Sequence, residues 1–86
     1  MNIIKLYWGN TMRLSDAKEK QNLKVINILI KEKKLKNYIF SLGLIKNTSI
    51  KIIKKSILKG PIIIYLRNYY LALSNNIANQ IEVDNS

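Results

Sequence analysis

A small, mainly β barrel with one short amphipathic helix and a C-terminal helical turn is the fold this sequence predicts. Three observations carry that prediction. The chain has 86 residues, room for one core and not for two. Several short segments are rich in β-branched or alternating apolar residues and are bounded by turn signals. A single window has the i, i+3, i+4, i+7 apolar spacing of a helix face.

The first strand is expected over Leu23–Ile30, LKVINILI, closed by the charged run KEKK. Leu23 and Val25 share a face, and bringing Ile28 to that face requires a bulge. KKLKNYIFSLG follows and places Leu35, Tyr38, Ile39 and Leu42 on one helical face, with Lys33, Lys34 and Lys36 toward solvent. No Ser, Thr, Asp or Asn precedes it closely enough to cap it. Gly43 stands where a left-handed residue ends a helix. Lys46-Asn47 reads as a turn, asparagine tolerating positive φ best after glycine. Ser49–Lys55 then alternates as a strand, with Ile50 and Ile52 on one face and Lys51 on the other.

SILKGP is a connecting loop that carries an internal glycine and the only proline. Ile62–Leu66 and Tyr69–Leu73 flank Arg67-Asn68, the spacing of a two-residue hairpin with positive φ expected at Asn68. That register opposes Leu66 to Tyr69, Tyr65 to Tyr70, Ile64 to Leu71, Ile63 to Ala72 and Ile62 to Leu73. Ile62, Ile64, Leu66, Tyr69, Leu71 and Leu73 then face the core, while Ile63, Tyr65, Tyr70 and Ala72 face outward. SNNIANQ reads as one helical turn capped by Ser74, and Ile81-Glu82-Val83 as a short closing strand. The terminal DNS is expected to fray.

Fifteen basic and five acidic residues give a formal charge of +10. Such a balance raises nucleic acid or an anionic membrane surface as partners. Lysine, asparagine and isoleucine, all written by A/T-rich codons, make up nearly half of the chain. Part of the charge therefore reads as base-composition bias on a solvated surface. Cysteine and histidine are absent, which removes disulfides, thiolate chemistry and the usual metal ligand and general base. The carboxylates Asp16, Glu19, Glu32, Glu82 and Asp84 are scattered. No catalytic residue, metal site or cofactor is expected. The apolar runs fall short of the roughly 20 residues that span a bilayer, and MNIIKLYW does not resemble a secretory signal, so a cytoplasmic location is expected.

Taken in order, these elements resemble the FeoA family, ferrous iron transport protein A, from about Met12 to Asp84. Met12-Arg13-Leu14-Ser15-Asp16 is similar to the family's opening, and Gln21 to the glutamine of its Pro-Gly-Gln turn. Leu42-Gly43-Leu44 matches its Leu-Gly-Leu signature, Leu58 and Pro61 its Pro-Leu-Gly-Asp-Pro loop, and Leu71-Ala72-Leu73 and Ile81-Glu82-Val83 its closing segments. The resemblance implies an SH3-like barrel that acts with the membrane-bound ferrous transporter FeoB, whose cytosolic part is a GTPase. It divides the chain into an extension at 1–11, expected to be loose, the domain at 12–84, and a frayed end at 85–86.

The departures from the family are systematic. Glu19-Lys20 and Lys46-Asn47 replace Pro-Gly turns, Asn68 replaces a hairpin glycine, and the loop glycine comes one place late at Gly60. Ile63, Tyr65 and Tyr70 stand where polar outward residues are usual, and Tyr38 where a basic residue is usual. An exposed patch of that kind marks a docking face unless the terminal segment or Trp8 covers it, or the tyrosine pair serves only to stabilise the sheet. Ile63, Tyr65, Tyr70 and the helical Lys36 are thus the candidate protein-binding residues, with Gly43, Asn47 and Asn68 as structural ones. Alternatives are a basic barrel that binds nucleic acid through Lys51, Lys54, Lys55 and Lys59, with tyrosines as stacking platforms, and an SH3-like domain related to iron-dependent repressors. A homo-oligomer, with the leading segment as a self-association arm or added edge strand, is also within what the sequence allows.

Overall fold

The computed structural model describes residues 11–85. Six strands form one antiparallel sheet in the order β1-β6-β2-β3-β4-β5: β1 Thr11–Arg13, β2 Asn22–Ile28, β3 Ser49–Lys55, β4 Ile62–Leu66, β5 Tyr69–Leu73 and β6 Ile81–Asn85. Helix α1 spans Lys33–Ser41 and helix α2 spans Asn75–Ala78. The sheet curls into a small SH3-like barrel around a core of almost purely aliphatic side chains, among them Leu14, Leu23, Val25, Ile39, Ile64 and Ile81, all fully buried.

Two bulges give the sheet its curvature. The register of β2 against β6 slips between Val25 and Asn27, and that of β3 against β4 between Ile52 and Lys54. Each slip inserts an isoleucine, Ile26 or Ile53, and bends its strand more sharply than regular twist allows. The first is the bulge that the Leu23, Val25 and Ile28 pattern requires, and Ile28 is buried as expected. The second keeps Ile52 in the core and turns Lys54 outward opposite Ile63.

Helix α1 starts on Glu32, whose carboxylate accepts from the N–H groups of Lys34 and Leu35 at 3.1 and 2.8 Å. It ends in a Schellman arrangement: Gly43 N–H donates to the Phe40 carbonyl and Leu44 N–H to that of Ile39, with Gly43 at φ 95°. Ile39 is fully buried and Leu35 and Leu42 are half-buried, but Tyr38 is exposed. The expected apolar face is therefore narrower than Leu35, Tyr38, Ile39 and Leu42 suggest: one short helix seats Ile39 and its two flanks, and Tyr38 falls outside that stripe.

The β4–β5 hairpin has the register expected of it. Arg67 and Asn68 both have positive φ, 46° and 70°, which makes the turn type I′, the hand that matches strand twist. Ile62, Ile64, Leu66 and Leu73 are buried, while Tyr69 and Leu71 are half-buried at the margin of the core. Ser74 caps α2 by accepting from Ile77 N–H. Strand β6 continues beyond the expected Ile81-Glu82-Val83: Asp84 pairs with Thr11 and Lys24, and Asn85 with Leu23. Residues 1–10, including Trp8, lie outside the described residues, and β1 begins at Thr11.

Candidate docking surface

On the outer face of the hairpin, Tyr65 and Tyr70 stand opposite each other, ring centroids 5.0 Å apart and planes tilted by 59°. This tilted contact is a favoured aromatic geometry and stiffens the two strands. Tyr65 is half-buried and donates its hydroxyl to Asn68 Oδ1 at 3.2 Å, which ties the ring to the turn. Tyr70 is 66% exposed. Ile63 lies on the same face, half-buried between Lys54 on β3 and Ala72 on β5.

The register extends this face across the sheet. Lys51 opposes Tyr65, and Asn22 opposes Lys51, so Asn22, Lys51, Tyr65 and Tyr70 form one row over four strands. Asn22, Lys51, Tyr65, Arg67 and Asn68 also line an open groove of about 540 Å³. The surface is thus aromatic and aliphatic along the hairpin and basic along β3. It can hold an apolar anchor and an adjoining anionic group, whereas nothing in the row supplies a carboxylate.

Lys36 is not brought to this surface. Tyr69, on the core side of the hairpin, donates its hydroxyl to the Leu42 carbonyl at the end of α1, so the helix adjoins the face opposite Tyr65 and Tyr70. Lys36 is half-buried with its ammonium 5.9 Å from the Phe40 ring centroid, a cation–π contact within the helix. Lys55 is likewise committed elsewhere: its ammonium donates to the carbonyls of Ser15 and Ala17 at 2.8 and 2.7 Å. Of the basic residues expected to form a nucleic-acid contact, Lys51, Lys54 and Lys59 remain exposed.

The structural residues hold the ends of these elements. Asn47 has φ 75°, and its N–H donates to the Val25 carbonyl at 2.7 Å, fastening the start of β3 to β2. Thr48, a buried polar residue, donates its hydroxyl to the Gly43 carbonyl at 3.0 Å. The sequence points to Lys51 and Lys54 only as part of a basic nucleic-acid surface, and the register through the bulge sets them opposite Tyr65 and Ile63. The participant with no sign in the sequence is Arg67, which faces Gly43 through the hairpin turn.

Among the described residues, no three acidic, histidine or cysteine side chains are grouped so as to hold a metal ion. Nor is any described helix long and apolar enough to cross a membrane. The fold is a small SH3-like barrel that carries tyrosine and lysine side chains on the outer face of its hairpin and β3. Residues 12–85 match the FeoA domain, and the chain belongs to the FeoA family. Membership implies an accessory role in ferrous iron uptake, in a family of transport accessories and not of enzymes.

Solved structures agree. A FeoA-like protein from Clostridium acetobutylicum is 32% identical, covering 88% of this chain and 87% of its own, with a TM-score of 0.77. An iron uptake regulatory protein (FeoA) is 24% identical over 88% of this chain and 97% of its own, also at 0.77. A manganese-dependent transcriptional repressor superposes at 0.81 with 16% identity, over 88% of this chain but 42% of its own. That likeness is one of fold. No curated protein matches the chain.

Proposed function

We propose that this protein is a cytoplasmic adaptor that docks on the cytosolic part of a FeoB-type ferrous iron transporter and modulates its assembly or GTP-linked activity. The observation that carries the docking face is the exposure of Tyr70 beside Tyr65, with Lys51 and Lys54 along the adjoining strand. Solvent-facing aromatic surface next to cations suits a partner with an apolar socket and acidic rim. Family membership supports this choice of partner, and the exposed tyrosine and lysine side chains support this choice of face.

Co-purification with the transporter's cytosolic domain, with and without guanine nucleotide, tests the reading. Wild-type protein is expected to be retained, and Tyr65→Ser/Tyr70→Ser to be lost while still folded. Equal retention of that variant would remove this face from the interface, and no retention of wild type in either condition would remove the adaptor.

A second reading has one observation in its favour. Lys51 directly across from Tyr65 sets a cation beside a ring, as a single-stranded nucleic-acid platform would. It predicts oligonucleotide binding that falls steeply with salt, and the same protein preparation measures it.

A further inference from the structure

The most exposed apolar side chains of the described domain are not on the hairpin. They lie at the tip of the β3–β4 connection, where Ile57 is 88% and Leu58 93% exposed. The connection is held by a tight neck. Ser56 donates both its N–H, at 3.2 Å, and its hydroxyl, at 2.7 Å, to the Pro61 carbonyl. Gly60 packs so closely on Ser56 that a Cβ there would meet the Ser56 Cβ at 2.7 Å. Above the neck Leu58 and Lys59 both adopt positive φ, 63° and 61°, a region that side-chain-bearing residues avoid. A short connection between two strands has no need of two adjacent aliphatic residues in water, one of them in a disfavoured conformation.

The charge around the tip is one-sided. Lys54 and Lys59 are exposed on the two arms of the loop, and Lys51 lies further down β3. Lys55 is held by the Ser15 and Ala17 carbonyls, and Glu19, which accepts from Lys55 N–H at 2.8 Å, is the carboxylate that reaches the base of the loop. The chain as a whole carries a formal charge of +10.

We propose that this loop is an anchor for an anionic phospholipid surface: Ile57 and Leu58 enter the boundary between headgroups and acyl chains while Lys54 and Lys59 meet lipid phosphates. A convex tip with two adjacent aliphatic side chains and flanking lysines needs no shaped socket. An anionic leaflet offers apolar depth and negative charge together, and a folded protein would have to supply a matching pocket. Each lysine near such a surface strengthens binding by about fivefold. Ile57 and Leu58 lie beyond the strands that carry Tyr65 and Tyr70, so the aliphatic tip is separate from the docking face, while Lys54 borders both surfaces.

Co-sedimentation of the full chain with vesicles tests it, using phosphatidylcholine alone and an equal mixture of phosphatidylcholine and phosphatidylglycerol. Wild type is expected to sediment with the anionic vesicles and not with the neutral ones, and to be released by salt. Ile57→Ser/Leu58→Ser should weaken that partition by about tenfold or more, and Lys54→Glu/Lys59→Glu should abolish it, both with unchanged far-UV circular dichroism. Absence of wild-type binding to anionic vesicles, or wild-type binding by Ile57→Ser/Leu58→Ser, would overturn the proposal. Loss of lipid-free co-purification with the transporter domain in Ile57→Ser/Leu58→Ser, with vesicle binding intact, would also overturn it and assign the tip to a protein contact.

Discussion

Arg67 lies over the place where Gly43 has no side chain. A Cβ at Gly43 would come within 2.8 Å of Arg67 Cδ and 3.0 Å of its Nε. The end of helix α1 and the tip of the β4–β5 hairpin are fitted to each other at this contact, and the hydroxyls of Thr48 and Tyr69 reach the adjoining carbonyls of Gly43 and Leu42.

Gly43→Ala is expected to destabilise the domain by about 1–2 kcal/mol, chiefly because φ 95° is strained for any residue with a Cβ. The steric part is smaller, since Arg67 is an exposed, flexible side chain that can move. In urea unfolding, Gly43→Ala/Arg67→Ala should therefore remain less stable than Arg67→Ala alone. Equal midpoints for those two variants would mean that contact, and not conformation, selects glycine.

Lys55→Met should cost about 1.5–3 kcal/mol, because the Ser15 and Ala17 carbonyls lose a shared charged donor. Lys51→Met, on the open outer face, should stay within about 0.5 kcal/mol of wild type. Thermal unfolding of the pair checks the contrast. Similar melting temperatures for the two variants would contradict the assignment of Lys55 to the fold.

Tyr65 and Tyr70 should show a coupling of about 0.5–1 kcal/mol in a double-mutant cycle to alanine, given their ring separation of 5.0 Å. This energy belongs to the sheet and is present without any partner. Stability measurements on the same variants used for co-purification then separate lost docking from lost folding.

The hairpin was legible because an uninterrupted alternation on each side of Arg67-Asn68 leaves one register that buries a whole face. The β2 bulge was legible too, since Leu23, Val25 and Ile28 cannot share a face without it. Tyr38 misled because helical spacing says which residues align and not how wide a stripe the core accepts. Glu32 lay outside the usual capping types, although its two carboxylate oxygens satisfy two helix N–H groups. Strand β1 has three residues and no pattern of its own, so its partner β6 defines it. The row from Lys51 to Tyr70 depends on the register between β3 and β4, which passes through the bulge at Ile53. Positive φ at Leu58 and Lys59 left no sign in the sequence, because the glycine beside them, Gly60, serves close packing at φ −77° instead.

The last strand in the sequence lies inside the sheet, between β1 and β2. Until Ile81–Asn85 has been synthesised, β1 lacks its one neighbour among the described strands and β2 keeps an open edge, so the barrel cannot assemble progressively as the chain emerges. Closing it requires a contact across most of the chain's length, a slow, non-local step. A nine-residue helix and a single hairpin are marginal by themselves in water, so folding of the domain waits for β6.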